Sequence, residues 1–168
     1  MMAGGTPNHN LIKGNLSGEL FPSVNKSKTC RSYSSVQRIH ISENSLYTYP
    51  DIVIVCSPNE YSKKDKNTIT NPSVVIEVVS ESTGAYDRGD KFRLYRDIEN
   101  LQEYVLVNSI HVGIEIYRRT EDKLWLLAEV AYKLTDKVTI MSIEASVVPS
   151  DIYRGTENVN EGWITRQQ

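Results

Sequence analysis

Three residues stand out for the chemistry that their types and positions permit. Glu77 lies inside an apolar run, SVVIEVVS, between Ile76 and Val78. A lone carboxylate is costly to bury there, so it must be neutralised, paired or bound to a metal. Asp51 opens a second apolar run, DIVIVC, straight after Pro50. Lys91 falls on a segment whose Phe92, Tyr95 and Ile98 mark an apolar helical stripe, and it stands four residues before Tyr95. Each has an ordinary reading by itself: Glu77 in a structural ion pair, Asp51 bonding backbone at a strand start, Lys91 paired with Asp87 at i−4. Together they have another. Two adjacent central strands would bring both carboxylates to one spot, and carboxylate oxygens with waters suit Mg²⁺, which takes one or two protein carboxylates. A helix packed over the sheet would turn the Lys91 ammonium toward them, where it could stabilise a developing phosphorane charge or orient a water.

The elements that must position these groups are legible from periodicity. Asn8 to Leu20 has helical spacing, with Asn8 as cap, Gly14 and Gly18 as weak points and Pro22 as the stop. Gln37 to Ile41 alternates as a half-exposed strand. Asp51 to Cys56 and Ser73 to Ser80 are β-branched and apolar on both faces, as buried central strands are. Between them, 57–72 reads as a polar loop carrying Lys63, Lys64 and Lys66. A Ser/Thr/Gly turn leads into an amphipathic helix from Asp87 to Ile98. Gln102 to Asn108, Val112 to Arg118, Leu124 to Tyr132 and Val138 to Met141 follow as strands, and the chain from Asp151 reads as a polar, fraying tail. The order predicts an α/β or α+β sheet covered by helices, with a strand–helix–strand crossover over 73–108. We expect a single domain over 1–155 and a flexible tail over 156–168.

Composition sets the outer bounds. The 168 residues hold 19 Lys and Arg against 21 Asp and Glu, a net charge of −2, with 39% hydrophobic residues. That balance excludes a strongly basic nucleic-acid coat, though not an enzyme with an acidic metal site. No apolar run approaches the roughly 20 residues of a membrane span, and no signal peptide is visible, so the expected location is cytoplasmic. Cys30 and Cys56 make neither a disulfide framework nor a zinc set, and Cys56 reads as a small packed hydrophobe. His9, His40 and His111 are scattered without ligand spacing. Ser80, Ser82 and Thr83 could bond phosphate or water, but turn chemistry explains them equally well. Arg118, Arg119 and the loop lysines read first as solvated charge.

The stretch from Tyr49 to Arg119 adds a resemblance. TYPDIVIVC, PSVVIEVVSESTGAYDRGDKFRLYRDIENLQEYVLVN and IEIYRR, with the opening MAGGTPNHN, closely resemble the Uma family of restriction-endonuclease-like proteins, within the PD-(D/E)XK nuclease superfamily. The resemblance implies a restriction-endonuclease-like fold, a central mixed β-sheet flanked by helices, and a Mg²⁺-dependent phosphodiesterase site in which Mn²⁺ could substitute. Pro50-Asp51 matches the family's Pro-Asp and Glu77 its acidic strand residue. The superfamily's lysine two residues later would fall on Val79; Lys91 on the following helix matches it instead. Relatives begin further upstream, with a helix and a strand holding a Gly-Glu pair, and carry Asp where Val36 follows Ser34-Ser35. An N-terminal truncation is therefore expected, with a sheet edge left open to pairing as a homodimer.

The leading expectation is a Mg²⁺-dependent DNA endonuclease in which Asp51 and Glu77 hold the metal and Lys91 stabilises charge or aligns water. The alternative is a non-catalytic DNA-binding or interaction module on a nuclease scaffold. A weaker third reading is a fragment that needs a partner chain to complete its sheet.

Overall fold

A computed structural model describes residues 5–41 and 46–162 of the chain. Its centre is a mixed six-stranded sheet of order β1-β4-β7-β8-β9-β10. These strands are β1 (Arg31–Ser34), β4 (Ile52–Val55), β7 (Val74–Val79), β8 (Glu103–Asn108), β9 (Ile114–Arg119) and β10 (Trp125–Ala131). Only the central pair, β7 and β8, is parallel; β4 runs antiparallel to β7, with Ile52 opposite Ile76. The strand–helix–strand unit over 73–108 therefore returns beside its own first strand, as the sequence predicts.

Alternation along β7 divides the core in two. Val74, Ile76 and Val78 face helix α1 (Pro7–Ser27), whose Ile12, Leu16, Leu20 and Val24 repeat every four residues and are all buried. Val75 and Val79 face the opposite side, where Tyr95, Phe92 and Tyr104 pack with Val53. Glu77 shares the parity of Val75 and Val79, so it points into this second layer.

α1 is longer than its sequence suggests. Thr6, not Asn8, caps it, accepting from the His9 amide, and Pro22 lies inside it. Pro22 is exposed while Leu20 and Val24 are buried. The packed stripe on the sheet outweighs the loss of one backbone hydrogen bond at the solvent face.

The expected single helix over Asp87–Ile98 is two short ones, α2 (Gly84–Arg88) and α3 (Asp90–Tyr95), meeting at Gly89. A Cβ at position 89 would lie 3.1 Å from the Ala85 carbonyl oxygen, so the close turn calls for glycine. The segment 57–72 is not merely a loop. It contains β5 (Tyr61–Ser62) and β6 (Asp65–Ile69), which join β2 (Ile39–Ile41) and β3 (Leu46–Thr48) in a four-stranded sheet of order β3-β2-β6-β5. Arg38 pairs with Asp65 beside it, and Thr68 donates to the same carboxylate at 2.6 Å.

Two further expectations are corrected. Cys30 and Cys56 form a disulfide, because β1 lies against β4 and sets the two residues opposite each other, with Cα atoms 3.9 Å apart. The strand pairing that joins them is invisible in local sequence. The chain from Asp151 does not fray at its start. After β11 (Val138–Ile140), a single 3₁₀ turn and β12 (Ala145–Val147), helix α4 (Pro149–Ile152) buries Ile152, and the Tyr153 hydroxyl donates to the Asn108 carbonyl at 2.8 Å. Asn8 and Glu157 exchange two hydrogen bonds, which ties the start of α1 to this segment. Residues 163–168 of the expected tail lie outside the described residues. No helix among the described residues is long and apolar enough to cross a membrane.

Candidate active site

Asp51, Glu77 and Lys91 line one cleft of about 790 Å³, with α1 on one wall and the α2–α3 pair on the other. Antiparallel pairing of β4 with β7 sets Asp51, just before β4, beside the Glu77 end of its neighbour. The Val78 amide donates to Asp51 Oδ2 at 2.9 Å, which fastens that carboxylate to β7 itself.

The second wall is a helical stripe. Asp87, Lys91 and Tyr95 recur every four residues across α2 and α3; Lys91 and Tyr95 meet Glu77, and Asp87 pairs with Lys91. Lys91 Nζ lies 2.7 Å from Glu77 Oε1 and 3.3 Å from Asp87 Oδ1. The Tyr95 hydroxyl donates to the same Glu77 Oε1 at 2.8 Å. Tyr104 donates to the Asp87 carbonyl at 3.0 Å, anchoring α2 to the sheet. Lys91 thus satisfies both readings offered by the sequence: it keeps its i−4 pairing and also reaches Glu77.

From the first wall, His9 Nε2 stands 3.3 Å from Asp51 Oδ2, and Lys13 Nζ lies 3.9 Å from Oδ1. Each carboxylate therefore has one oxygen that accepts a hydrogen bond. Asp51 Oδ2 takes the Val78 amide and faces His9; Glu77 Oε1 takes Lys91 and Tyr95. No described residue hydrogen-bonds Asp51 Oδ1 or Glu77 Oε2.

Electrostatics separates the two acids. Burial pushes the Glu77 carboxyl up to about 7, and the nearby Lys91 only partly offsets this. Burial also acts against ionised Asp51, but His9 and the Val78 amide outweigh it and hold its carboxyl below the usual range. Burial opposes the charge on Lys91 as well, yet Glu77 and Asp87 overcome it and raise its pKa. Contact with Asp51 raises His9, against the effect of burial. The cleft thus holds a firmly ionised aspartate beside a glutamate that is easily protonated unless more positive charge arrives.

Other candidates separate clearly. Ser80, Ser82 and Thr83 line the cleft, and their hydroxyls bond one another at 3.1–3.2 Å. Arg118 and Arg119 are structural. Arg118 bridges Glu103 and Glu129, and Arg119 donates to the carbonyls of Ile98 and Glu99. Sequence reasoning missed His9 and Lys13 as site residues. They share one face of α1 four residues apart, but nothing local shows that this face meets Asp51.

A family profile described as "Putative restriction endonuclease" matches residues 1–147. The chain belongs to this family, Uma2. Two relatives come from Synechocystis sp. Uncharacterized protein slr1290 is 40% identical over 154 residues, covering 92% of this chain and 78% of that protein. Uncharacterized protein sll1609 is 34% identical over 128 residues, covering 76% and 72%. A solved structure described as a "putative nuclease belonging to DUF820 from Anabaena variabilis ATCC 29413" superimposes with a TM-score of 0.69. It covers 91% of this chain and 83% of its own at 16% identity. That likeness establishes the fold. Membership in Uma2 supports a nuclease-like function.

Proposed function

We propose that this Uma2 protein is a divalent-cation-dependent endonuclease that hydrolyses DNA phosphodiester bonds, with Asp51 and Glu77 as metal ligands and Lys91 as the charge-stabilising group. One observation carries the reading: two carboxylates on adjacent strands each leave one oxygen free of hydrogen bonds from described residues, in a single cleft beside a buried lysine. Two such acids fit Mg²⁺ or Mn²⁺, which completes its shell with water and substrate phosphate and needs no third protein acid. No cluster of three or more His, Cys, Asp or Glu ligands occurs among the described residues, which fits that sparse donor set better than zinc. Bound there, such an ion would act as a Lewis acid and activate water at neutral pH.

The chain's own residues do the rest. Burial raises the Glu77 carboxyl, so added positive charge in the cleft favours its ionised form. Tyr95 fixes the direction of its carboxylate. Lys91, held between Glu77 and Asp87, keeps a cationic donor beside the place where phosphoryl charge would grow, with little reorganisation needed.

The test is nicking of supercoiled plasmid DNA with Mg²⁺, with Mn²⁺ and with a chelator, alongside thermal melts under the same conditions. Cation-dependent nicking that disappears in Glu77→Gln is expected, with a rise in melting temperature on adding Mn²⁺. A metal-induced rise without nicking would favour a non-catalytic module. Neither effect, in a folded protein, would sink the metal-site reading.

A further inference from the structure

His9 lines the cleft without a part in the proposed reaction, and its surroundings are specific. It is the third residue of α1, and its amide is capped by Thr6 Oγ1 at 3.2 Å, so the start of the helix fixes where the imidazole begins. Gly5 packs directly against the ring: a Cβ there would lie 2.7 Å from Nδ1. The side chain is 18% exposed, and Nδ1 is buried with no hydrogen-bond partner. The polar contact of the ring is therefore made at Nε2, 3.3 Å from Asp51 Oδ2. The Val78 amide reaches that same oxygen from β7. Two groups from different elements converge on Oδ2, the Val78 amide as a hydrogen-bond donor and His9 Nε2 as a close polar contact, while Oδ1 has only Lys13 at 3.9 Å, and that ammonium also donates to Ser35 Oγ at 3.2 Å.

We propose that His9 is a positioning residue: with the Val78 amide it holds Asp51 by Oδ2, so that Oδ1 is the oxygen presented to a divalent cation. This rests on the metal reading of the cleft. Groups that hold a metal-binding side chain from behind fix its direction, and their loss typically weakens metal binding about 10- to 100-fold. α1 is then part of the site as well as a cover for the sheet. Lys13 plays a different part: its charge competes with a cation for Oδ1.

The test is calorimetric titration of Mn²⁺ into the full chain without DNA. His9→Leu fills the space but cannot donate, and should bind Mn²⁺ about 10- to 100-fold more weakly. His9→Gln keeps an N–H at similar reach and should recover most of the affinity. Lys13→Met should bind as tightly as the unaltered chain or more tightly. If His9→Leu does not fold, His9→Asn replaces it, because its amide is too short to span to Asp51. Equal or tighter binding in the leucine or asparagine variant overturns the role of His9 alone. Failure of the glutamine variant to recover affinity overturns it too, since packing and not donation would then be at work. Absence of Mn²⁺ binding to the unaltered, folded chain overturns the metal reading and this inference with it.

Discussion

Glu77 and Glu103 occupy the two parallel strands at the centre of the sheet, and they are finished in opposite ways. Both are almost completely buried, at 4% and 1% exposure, and each meets one basic side chain. Glu103, at the start of β8, has both oxygens saturated. Oε1 accepts from Arg118 Nε at 2.9 Å and the Met141 amide at 3.0 Å. Oε2 accepts from the amide and hydroxyl of Ser142 at 2.8 and 2.7 Å. Glu77, toward the carboxyl end of β7, has two partners on one oxygen and an open cleft beside it. A carboxylate with every lone pair engaged locks the C-terminal hairpin to the sheet and has no capacity left for a ligand. One with an unused oxygen, at the end of a parallel pair where α/β ligands gather, retains that capacity.

Four experiments would break or sharpen this contrast. The largest expected effect is on stability at Glu103. Glu103→Ala leaves the Arg118 guanidinium and the amides of Met141 and Ser142 without their acceptor, which should cost about 3–5 kcal/mol. For a domain of this size that lowers the melting temperature by on the order of 10 °C. If the change were negligible, saturation would not be the mark of a structural acid.

Next comes Lys91→Met, read by single-turnover DNA cleavage. The rate should fall about 10²–10³-fold, because a charge-stabilising donor is lost. Mn²⁺ affinity should persist. Unchanged cleavage would return Lys91 to the role of a simple counter-ion.

The third is the pH dependence of the metal-free protein. Burial raises Glu77 from its ordinary 4.5 to about 7 in the folded state. The native chain therefore binds more protons than the unfolded chain between those values. The associated stability is present below pH 4.5 and is lost as pH rises through 7, a change of about 3 kcal/mol. His9, also raised from its usual 6.5, adds a loss of the same sign. Asp51 is lowered from 3.8, so its contribution disappears only on acidification below that value, outside this window. The melting temperature without metal should therefore fall from pH 4.5 to 7, and Glu77→Gln should flatten most of the decline. A flat profile in the unaltered chain would mean that Lys91 compensates Glu77 fully.

The smallest effect is expected for Arg118→Lys. One ammonium cannot serve Glu103, Glu129 and the Thr139 carbonyl together, as the guanidinium does. A loss of about 1.5 kcal/mol by urea unfolding is expected. No loss would show that the backbone amides of 141–142 satisfy Glu103 by themselves.

The sequence by itself determined the central strands, because DIVIVC and SVVIEVVS are too apolar and β-branched to lie anywhere but in a sheet buried on both faces. It also marked Glu77, since a charge in such a strand calls for a partner, and it marked Lys91 through the apolar stripe next to it. What it could not settle were matters of pairing. That β1 lies on β4, closing Cys30 onto Cys56, depends on contacts between strands, not on the pattern within either. That α1 runs on through Pro22 depends on the sheet beneath its buried stripe. Glu77 and Glu103 look alike along the chain, each an acid in or beside an apolar strand. Which one is saturated and which is left with a free oxygen was decided only when residues 141–142 folded back onto β8 and left the end of β7 open to a cleft. Hydrogen-bond satisfaction is a property of the assembled neighbourhood, and those neighbours come from distant parts of the chain.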